Sequence, residues 1–219
     1  MLFHHLSSPG SGVDVEQIVA TLEETLDIPA LQRAWEQVVA RHGALRTRFR
    51  WEGVDEPVQE VLAEASVPFA VEDWRELGAE AQAHRLAERL AAERERGLDL
   101  REAPCLRISL FQTGDPRWEM LWTFHHIVCD GRSFPIVLGD VFRAYDAARS
   151  GGVAHAELPA PPPYADHVAH LASFDLGAAE AFWRQRLAGF RVATPLPAPP
   201  VASAPAGRRA LARALPEPP

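Results

Sequence analysis

The amino-acid sequence contains no lysine, no asparagine and only two cysteines among its 219 residues. The absence of lysine excludes mechanisms that use a Schiff-base lysine or a nucleophilic lysine. Cys105 and Cys129 are too few for a disulfide framework and predict a reducing, cytoplasmic environment. No apolar run reaches the roughly 18 residues that cross a bilayer, and the opening MLFHHLSSPGSG lacks the pattern of a signal peptide. We therefore expect a cytoplasmic protein without a membrane span.

The net charge of the chain also limits the classes of partner that it can bind. The formal net charge is −8 at pH 7, which argues against nucleic acid and anionic membrane surfaces as ligands. Hydrophobic residues make up 47% of the sequence, enough for one sizeable core or at most two small ones.

The hydrophobic pattern predicts an α/β fold, an α+β sandwich in which helices cover a mixed β-sheet. Residues 13–26 alternate and favour a strand, and Asp27 is a candidate N-cap for a helix that ends near His42. Further strands are predicted at 45–51, 57–63, 66–71, 105–112 and 118–126, and further helices at 79–96, 133–149, 164–172 and 177–188. The alternating charges of 79–96 predict a solvated helix face. Gly151 and Gly152 are expected to stop the preceding helix, and the Pro/Ala-rich chain from Ala193 onward is expected to be extended or disordered.

The most informative segment is His125–Gly131, HHIVCDG, at the end of an apolar strand. Successive side chains of a strand point to opposite faces, so one histidine should face a cavity and the other should pack into the fold. A regular strand therefore cannot place both rings on one metal ion. The pair His4–His5 also lacks further ligands at a suitable spacing, and we predict no metal site.

This segment favours proton transfer. Histidine is the usual general base near neutral pH. Asp130 has two candidate roles: it could orient the catalytic imidazole, or it could be a structural carboxylate paired with an arginine. The chain has no G-x-S-x-G motif, and Cys129 lies in an apolar stretch, so no strong nucleophile is evident. Direct acyl transfer, with histidine deprotonating an attacking amine or alcohol, is favoured over a covalent enzyme intermediate.

HHIVCDG resembles the HHxxxDG motif of condensation domains of nonribosomal peptide synthetases, which belong to the chloramphenicol-acetyltransferase-like superfamily. Four further segments resemble family motifs in the family's order: MLFH with PGSGV at the start, RHGALRTRF at Arg41–Phe49, GLDL through LR at 97–107, and YADH at Tyr164–His167, where His167 replaces the usual aromatic residue.

The resemblance implies a role for each site residue. His126 matches the general base or the group that positions the acceptor amine, and Gly131 matches a residue whose backbone N–H lies near the developing oxyanion. Asp130 matches a structural carboxylate paired with the arginine matched by Arg46, and His125 takes a structural role. No intrinsic cofactor or metal is implied, because the substrates are tethered to phosphopantetheine arms of carrier proteins.

The sequence also departs from the family. A complete condensation domain is about twice this length, and the DFGWG motif of its second lobe is absent. We expect residues 1–190 to form an N-terminal lobe and residues 191–219 to lead toward a missing C-terminal lobe. The lobe should be incomplete and inactive alone, and its uncovered face could form a homo-oligomer. Two alternatives stay open: a stand-alone CoA-dependent O- or N-acyltransferase, and a non-catalytic docking or scaffold lobe.

Overall fold

The computed structural model describes residues 1–8, 10–150, 160–192 and 194. The chain divides into two compact units, Met1–Ala172 and Ser173–Pro219. The glycine pair expected to stop a helix lies outside the described residues, as does nearly all of the Pro/Ala-rich chain from Ala193 onward. In the described part of the chain, no helix combines the length and the apolar content that a bilayer span requires.

The first unit contains five α-helices and six strands among its described residues. The helices are α1 (Leu2–Ser7), α2 (Ile28–Arg41), α3 (Ala79–Arg96), α4 (Ser133–Arg149) and α5 (Tyr164–Ala172). The strands are β1 (Val15–Glu23), β2 (Thr47–Arg50), β3 (Val58–Val61), β4 (Phe69–Asp73), β5 (Leu106–Gln112) and β6 (Arg117–His125), and a 3₁₀ turn spans Gly43–Arg46. The second unit contains α6 (Leu176–Arg186).

Four strands form the mixed sheet that the sequence predicted, in the order β1-β6-β5-β4. Strands β1 and β5 run antiparallel to β6, whereas β4 runs parallel to β5. The register pairs Val15 with His125, so the first strand begins beside the end of β6. The predicted strand at 66–71 forms two to three residues later, as Phe69–Asp73, because its pairing with Ile108–Gln112 sets its limits.

Helices cover both faces of this sheet. On one face, Met120, Trp122 and Phe124 of β6 pack with residues of α2 and α4 in the main core. On the other face, Leu121 packs with Trp74, Phe111 and leucines of α3. Because β6 alternates between two buried faces, nearly all of its residues are buried, as expected of a central strand.

The start of α2 follows from its sequence. Asp27 accepts a hydrogen bond from the Ala30 backbone N–H at 2.9 Å, which confirms it as the N-cap. The Asp27 backbone N–H donates to the Tyr145 hydroxyl at 2.9 Å. This contact ties the start of α2 to α4 on the same face of the sheet.

The helix α3 differs from its sequence prediction at one position. Most of its charged side chains face solvent, but Glu93 is only 6% exposed. Its carboxylate accepts hydrogen bonds from Arg107 Nε at 2.9 Å, Thr123 Oγ1 at 2.6 Å and Ser109 Oγ at 3.2 Å. The expectation of a wholly solvated charged face is therefore wrong at Glu93, which joins the helix to the sheet through an ion pair.

The ribbon β2–β3 lies apart from the main sheet and is shorter than predicted, because Gly43–Arg46 forms a 3₁₀ turn before it. Phe49 of this ribbon is 4% exposed and belongs to a small cluster with Leu100 and Cys105. Ile127 and Val128 pack against that cluster. The ribbon is thereby placed beside the segment that follows β6.

Candidate active site

The HHIVCDG segment forms a tight connection between β6 and α4. The strand ends at His125, residues 126–128 form a turn, and α4 begins at Ser133. The His126 backbone N–H donates to the Asp14 carbonyl at 2.8 Å, and the His125 backbone N–H donates to the Cys105 carbonyl at 3.0 Å. These bonds to the chain on both sides of β6 fix the backbone of the two histidines.

His125 points into the fold, as the strand alternation predicted for one histidine of the pair. It is 1% exposed, and its ring packs edge-on against His5 with 5.2 Å between ring centroids. Its Nδ1 accepts a hydrogen bond from the Ile127 backbone N–H at 3.1 Å. Burial, together with the neighbouring His5, lowers the pKa of His125 to about 4. The ring is therefore neutral at pH 7, with its proton on Nε2.

His126 is only partly buried and has the opposite tautomer. Its Nδ1 lies 2.7 Å from the Cys129 carbonyl oxygen. Because a carbonyl can only accept, the proton of the neutral ring lies on Nδ1 and the lone pair lies on Nε2. This is the form that a general base requires.

A cleft of about 640 Å³ lies beside the turn, within the first unit. It joins three of the segments that the sequence singled out: His126 to Asp130 of HHIVCDG, Ala44, Thr47 and Phe49 of RHGALRTRF, and Tyr164 and Ala165 of YADH. Gln59 and Val61 of the β2–β3 ribbon, together with Pro57, Ser133 and Val168, complete its lining. Its volume is in the range of small-molecule sites.

The two cysteines are unsuited to nucleophilic attack. Burial is the main cause that raises the pKa of both Cys105 and Cys129 to about 12. Both thiols are therefore protonated at neutral pH, whereas the reactive form is the thiolate. At this turn Cys129 contributes its backbone carbonyl rather than its sulfur.

Asp130 does not pair with Arg46, and the predicted ion pair is not formed. Asp130 is exposed, and its Oδ1 accepts from the Ser133 hydroxyl at 2.7 Å, the Ser133 backbone N–H at 2.8 Å and the Arg132 backbone N–H at 3.0 Å. The hydrogen bonds from Ser133, followed by the one from Arg132, hold the pKa of this carboxyl below its ordinary value. Asp130 thus stabilises the start of α4.

Arg46 binds backbone carbonyls instead. Its Nε donates to the Ala40 carbonyl at 3.0 Å, and a second guanidinium N–H donates to the Leu62 carbonyl. Arg46 therefore ties the end of α2 to the chain after β3. Nearby backbone groups bind both Arg46 and Asp130. The predicted ion pair between the two side chains was wrong for this reason.

A double-mutant cycle tests whether Arg46 and Asp130 interact. Arg46→Ala should lower the free energy of unfolding by roughly 2 kcal/mol, because two charge-assisted hydrogen bonds are lost. Arg46→Ala combined with Asp130→Ala should lower it by the sum of the two single effects, since the two side chains share no contact. Urea unfolding of the four proteins measures this, and a coupling energy clearly different from zero would restore the predicted pair.

Gly131 is exposed and does not border the cleft. A Cβ added there would meet no atom within 4 Å, so the first unit itself places no steric demand on this position. Among the described residues no atom accepts a hydrogen bond from its backbone N–H. The role of this N–H beside a developing oxyanion stays a prediction.

One contact between a partly buried histidine and a buried carboxylate near the site was not predicted. Asp140 of α4 is 4% exposed, and its Oδ2 lies 2.6 Å from His42 Nε2, next to the start of RHGALRTRF. Burial raises the pKa of the Asp140 carboxyl, but hydrogen bonds from His42 and Arg143 outweigh it, and the pKa lies below its ordinary value. A usable signal was present, because Asp140 falls on the apolar stripe of α4, where a carboxylate needs a partner.

A mixed sheet covered by helices, with HHxxxDG at the exit of its central strand, defines a chloramphenicol-acetyltransferase-like lobe. A family model described as "Condensation domain" matches residues 1–212. The chain belongs to the condensation-domain family.

The chain is also similar to individual synthases and to one solved condensation domain. One linear gramicidin synthase subunit from Brevibacillus parabrevis is 42% identical over 197 residues, which cover 90% of this chain and 2% of that protein. Surfactin synthase subunit 3 of Bacillus subtilis (strain 168) is 32% identical over 190 residues, covering 87% of this chain and 15% of that protein. The crystal structure of the starter condensation domain of rhizomide synthetase RzmA matches with a TM-score of 0.73 at 20% identity, covering 86% of this chain and 46% of that one. The chain thus spans a small part of these synthases and just under half of the solved domain.

Proposed function

We propose that this chain is the His126-containing half of a condensation site that forms amide bonds between carrier-tethered thioesters. The observation with most weight is His126 itself, which borders the cleft with its Nδ1 proton bound by the Cys129 carbonyl. The neutral ring then has its basic nitrogen available for an incoming amine.

The proposed reaction joins two tethered substrates, and His126 transfers the proton. The acceptor amine attacks the donor thioester carbonyl, a carbon–nitrogen bond forms, and the carbon–sulfur bond breaks. His126 Nε2 takes the proton that the amine loses and returns it to the departing thiolate. The Gly131 backbone N–H is our candidate donor to the transient oxyanion. Holding both substrates together contributes most of the acceleration.

The chemistry of the cleft favours direct transfer over an acyl-enzyme. Both thiols are protonated, since burial raises the pKa of each to about 12. The sequence contains no lysine. The acyl group therefore passes from one carrier to the other while His126 handles the proton.

Carrier proteins with phosphopantetheine arms are the proposed partners. The second wall of the site is proposed to come from a C-terminal lobe, because the chain covers only 46% of the solved condensation domain that it resembles. Without that lobe we expect little or no turnover, since only one side of the substrates would be held.

A chimera tests the proposal. The chain replaces the 42% identical segment in the matching domain of the linear gramicidin synthase, and donor and acceptor are loaded on their carriers. Mass spectrometry of the acceptor carrier should detect the amide product when both substrates are tethered. The unmodified synthase domain is the control.

Two outcomes contradict the proposal. Equal product formation from a free acyl-CoA donor would favour the stand-alone acyltransferase. A folded chimera without product, beside an active parent domain, would favour the non-catalytic scaffold.

A further inference from the structure

A second, much smaller cavity lies beside His125 and shares no lining residue with the cleft. Its volume is about 40 Å³. It is bordered by His5, His125, Asp14, the loop before β1 and the chain at the end of α3. This volume exceeds the roughly 10–15 Å³ that one water molecule requires.

Two buried polar atoms without a protein partner belong to residues that border this cavity. His125 is 1% exposed, and its Nε2 has no hydrogen-bond partner among the described residues. Asp14 is 9% exposed, and the same holds for its Oδ2. Both residues line the same cavity.

The hydrogen-bond chemistry of the two atoms is complementary. Since His125 Nδ1 accepts from the Ile127 backbone N–H, the His125 proton lies on Nε2, which must donate. The Asp14 carboxylate must accept. A single ligand between them must therefore accept one hydrogen bond and donate another.

Water meets this requirement, whereas simple ions do not. A metal ion or ammonium has no lone pair for the histidine N–H, and chloride has no proton for the carboxylate. We propose that one buried water molecule bridges Asp14 Oδ2 and His125 Nε2. Leaving both groups unsatisfied would be costly, which is the physical reason for the bridge.

The bridge makes Asp14 a positioning residue for the active-site turn. The Asp14 carbonyl already accepts from the His126 backbone N–H at 2.8 Å. With its side chain linked through water to His125, Asp14 would fix the backbone of one histidine and the ring of the other. Only the importance of His126 rests on the proposed function, and the bridge itself does not.

Crystallography of the full chain tests the bridge directly. At a resolution that shows ordered water, we expect one peak about 2.7–3.2 Å from both Asp14 Oδ2 and His125 Nε2. A direct Asp14–His125 hydrogen bond, a metal ion at the carboxylate, or no water at either atom would overturn the proposal.

Imidazole ¹⁵N spectra test the positioning role of Asp14 without any turnover. A negative result for this role is therefore distinguishable from a failure of the condensation reaction. Asp14→Leu removes the acceptor, whereas Asp14→Asn keeps an oxygen for the water. We expect the His125 Nε2 proton to exchange with solvent about 10-fold faster in Asp14→Leu. His126 should lose its uniform Nδ1–H tautomer in the same variant.

Two control variants of the same chain complete the comparison. Asp14→Asn should retain the wild-type exchange rate and tautomer. Glu16→Gln changes a charge two residues along the chain, at the second residue of β1, which does not line the cavity, and should also match the wild type. Unchanged spectra in folded Asp14→Leu would show that Asp14 does not position His126.

Discussion

Replacing His126 by alanine is expected to slow amide formation by about 10²- to 10⁴-fold, the usual contribution of a general base. We expect this loss of rate because His126 borders the cleft in a tautomer that leaves Nε2 basic. The measurement is a single-turnover assay of the chimeric domain with both substrates tethered. A melting curve checks that the variant is folded.

Two matched variants separate proton transfer from structure. His126→Asn keeps an N–H that can donate to the Cys129 carbonyl but has no basic nitrogen, so it should be as slow as His126→Ala. Cys129→Ala keeps that carbonyl and removes the buried thiol, so it should keep the wild-type rate within a few-fold. Full activity of His126→Asn would limit the role of His126 to its hydrogen bond with the turn.

Replacing Glu93 by alanine is expected to lower the free energy of unfolding by roughly 3–5 kcal/mol. Glu93 accepts from Arg107 Nε at 2.9 Å, and the side chains are only 8% and 10% exposed. Removing the carboxylate leaves the guanidinium charge buried without its partner, which is the costly part of such a change. Urea unfolding at neutral pH measures the loss.

Two comparisons test this explanation. Glu95→Ala removes an exposed carboxylate from the same helix and should change the free energy of unfolding by less than about 0.5 kcal/mol. Glu93→Leu with Arg107→Met removes both charges and should be more stable than Glu93→Ala. If the double variant were the less stable of the two, the uncompensated charge would not explain the loss.

Much of the fold could be predicted because its elements have strong local patterns. The helices at 79–96, 133–149 and 164–172 have the predicted limits, and Asp27 caps α2 as expected. The central strand, buried on both faces, was evident from its apolar residues. The first residue of β4 was harder to predict, since pairing with β5 rather than local preference sets it.

The electrostatic pairs were the least predictable part of the site. Arg46 and Asp130 each found backbone partners nearby, although the family resemblance implied that they pair. His42 instead pairs with Asp140, 98 positions away in the chain. Opposite charges are abundant in any sequence, and only their distances in the folded chain decide which of them meet.

The sequence alone predicted the mixed sheet covered by helices, the place of the HHIVCDG turn, and that one histidine of the pair packs inside while the other faces a cavity. These features follow from side-chain periodicity, which is a local property of the chain. The tertiary structure decided that the Cys129 carbonyl sets the tautomer of His126, that Asp130 supports α4, and that Glu93 and Asp140 are buried with partners. Each of these depends on distances of a few ångströms between atoms, which packing fixes and residue order does not.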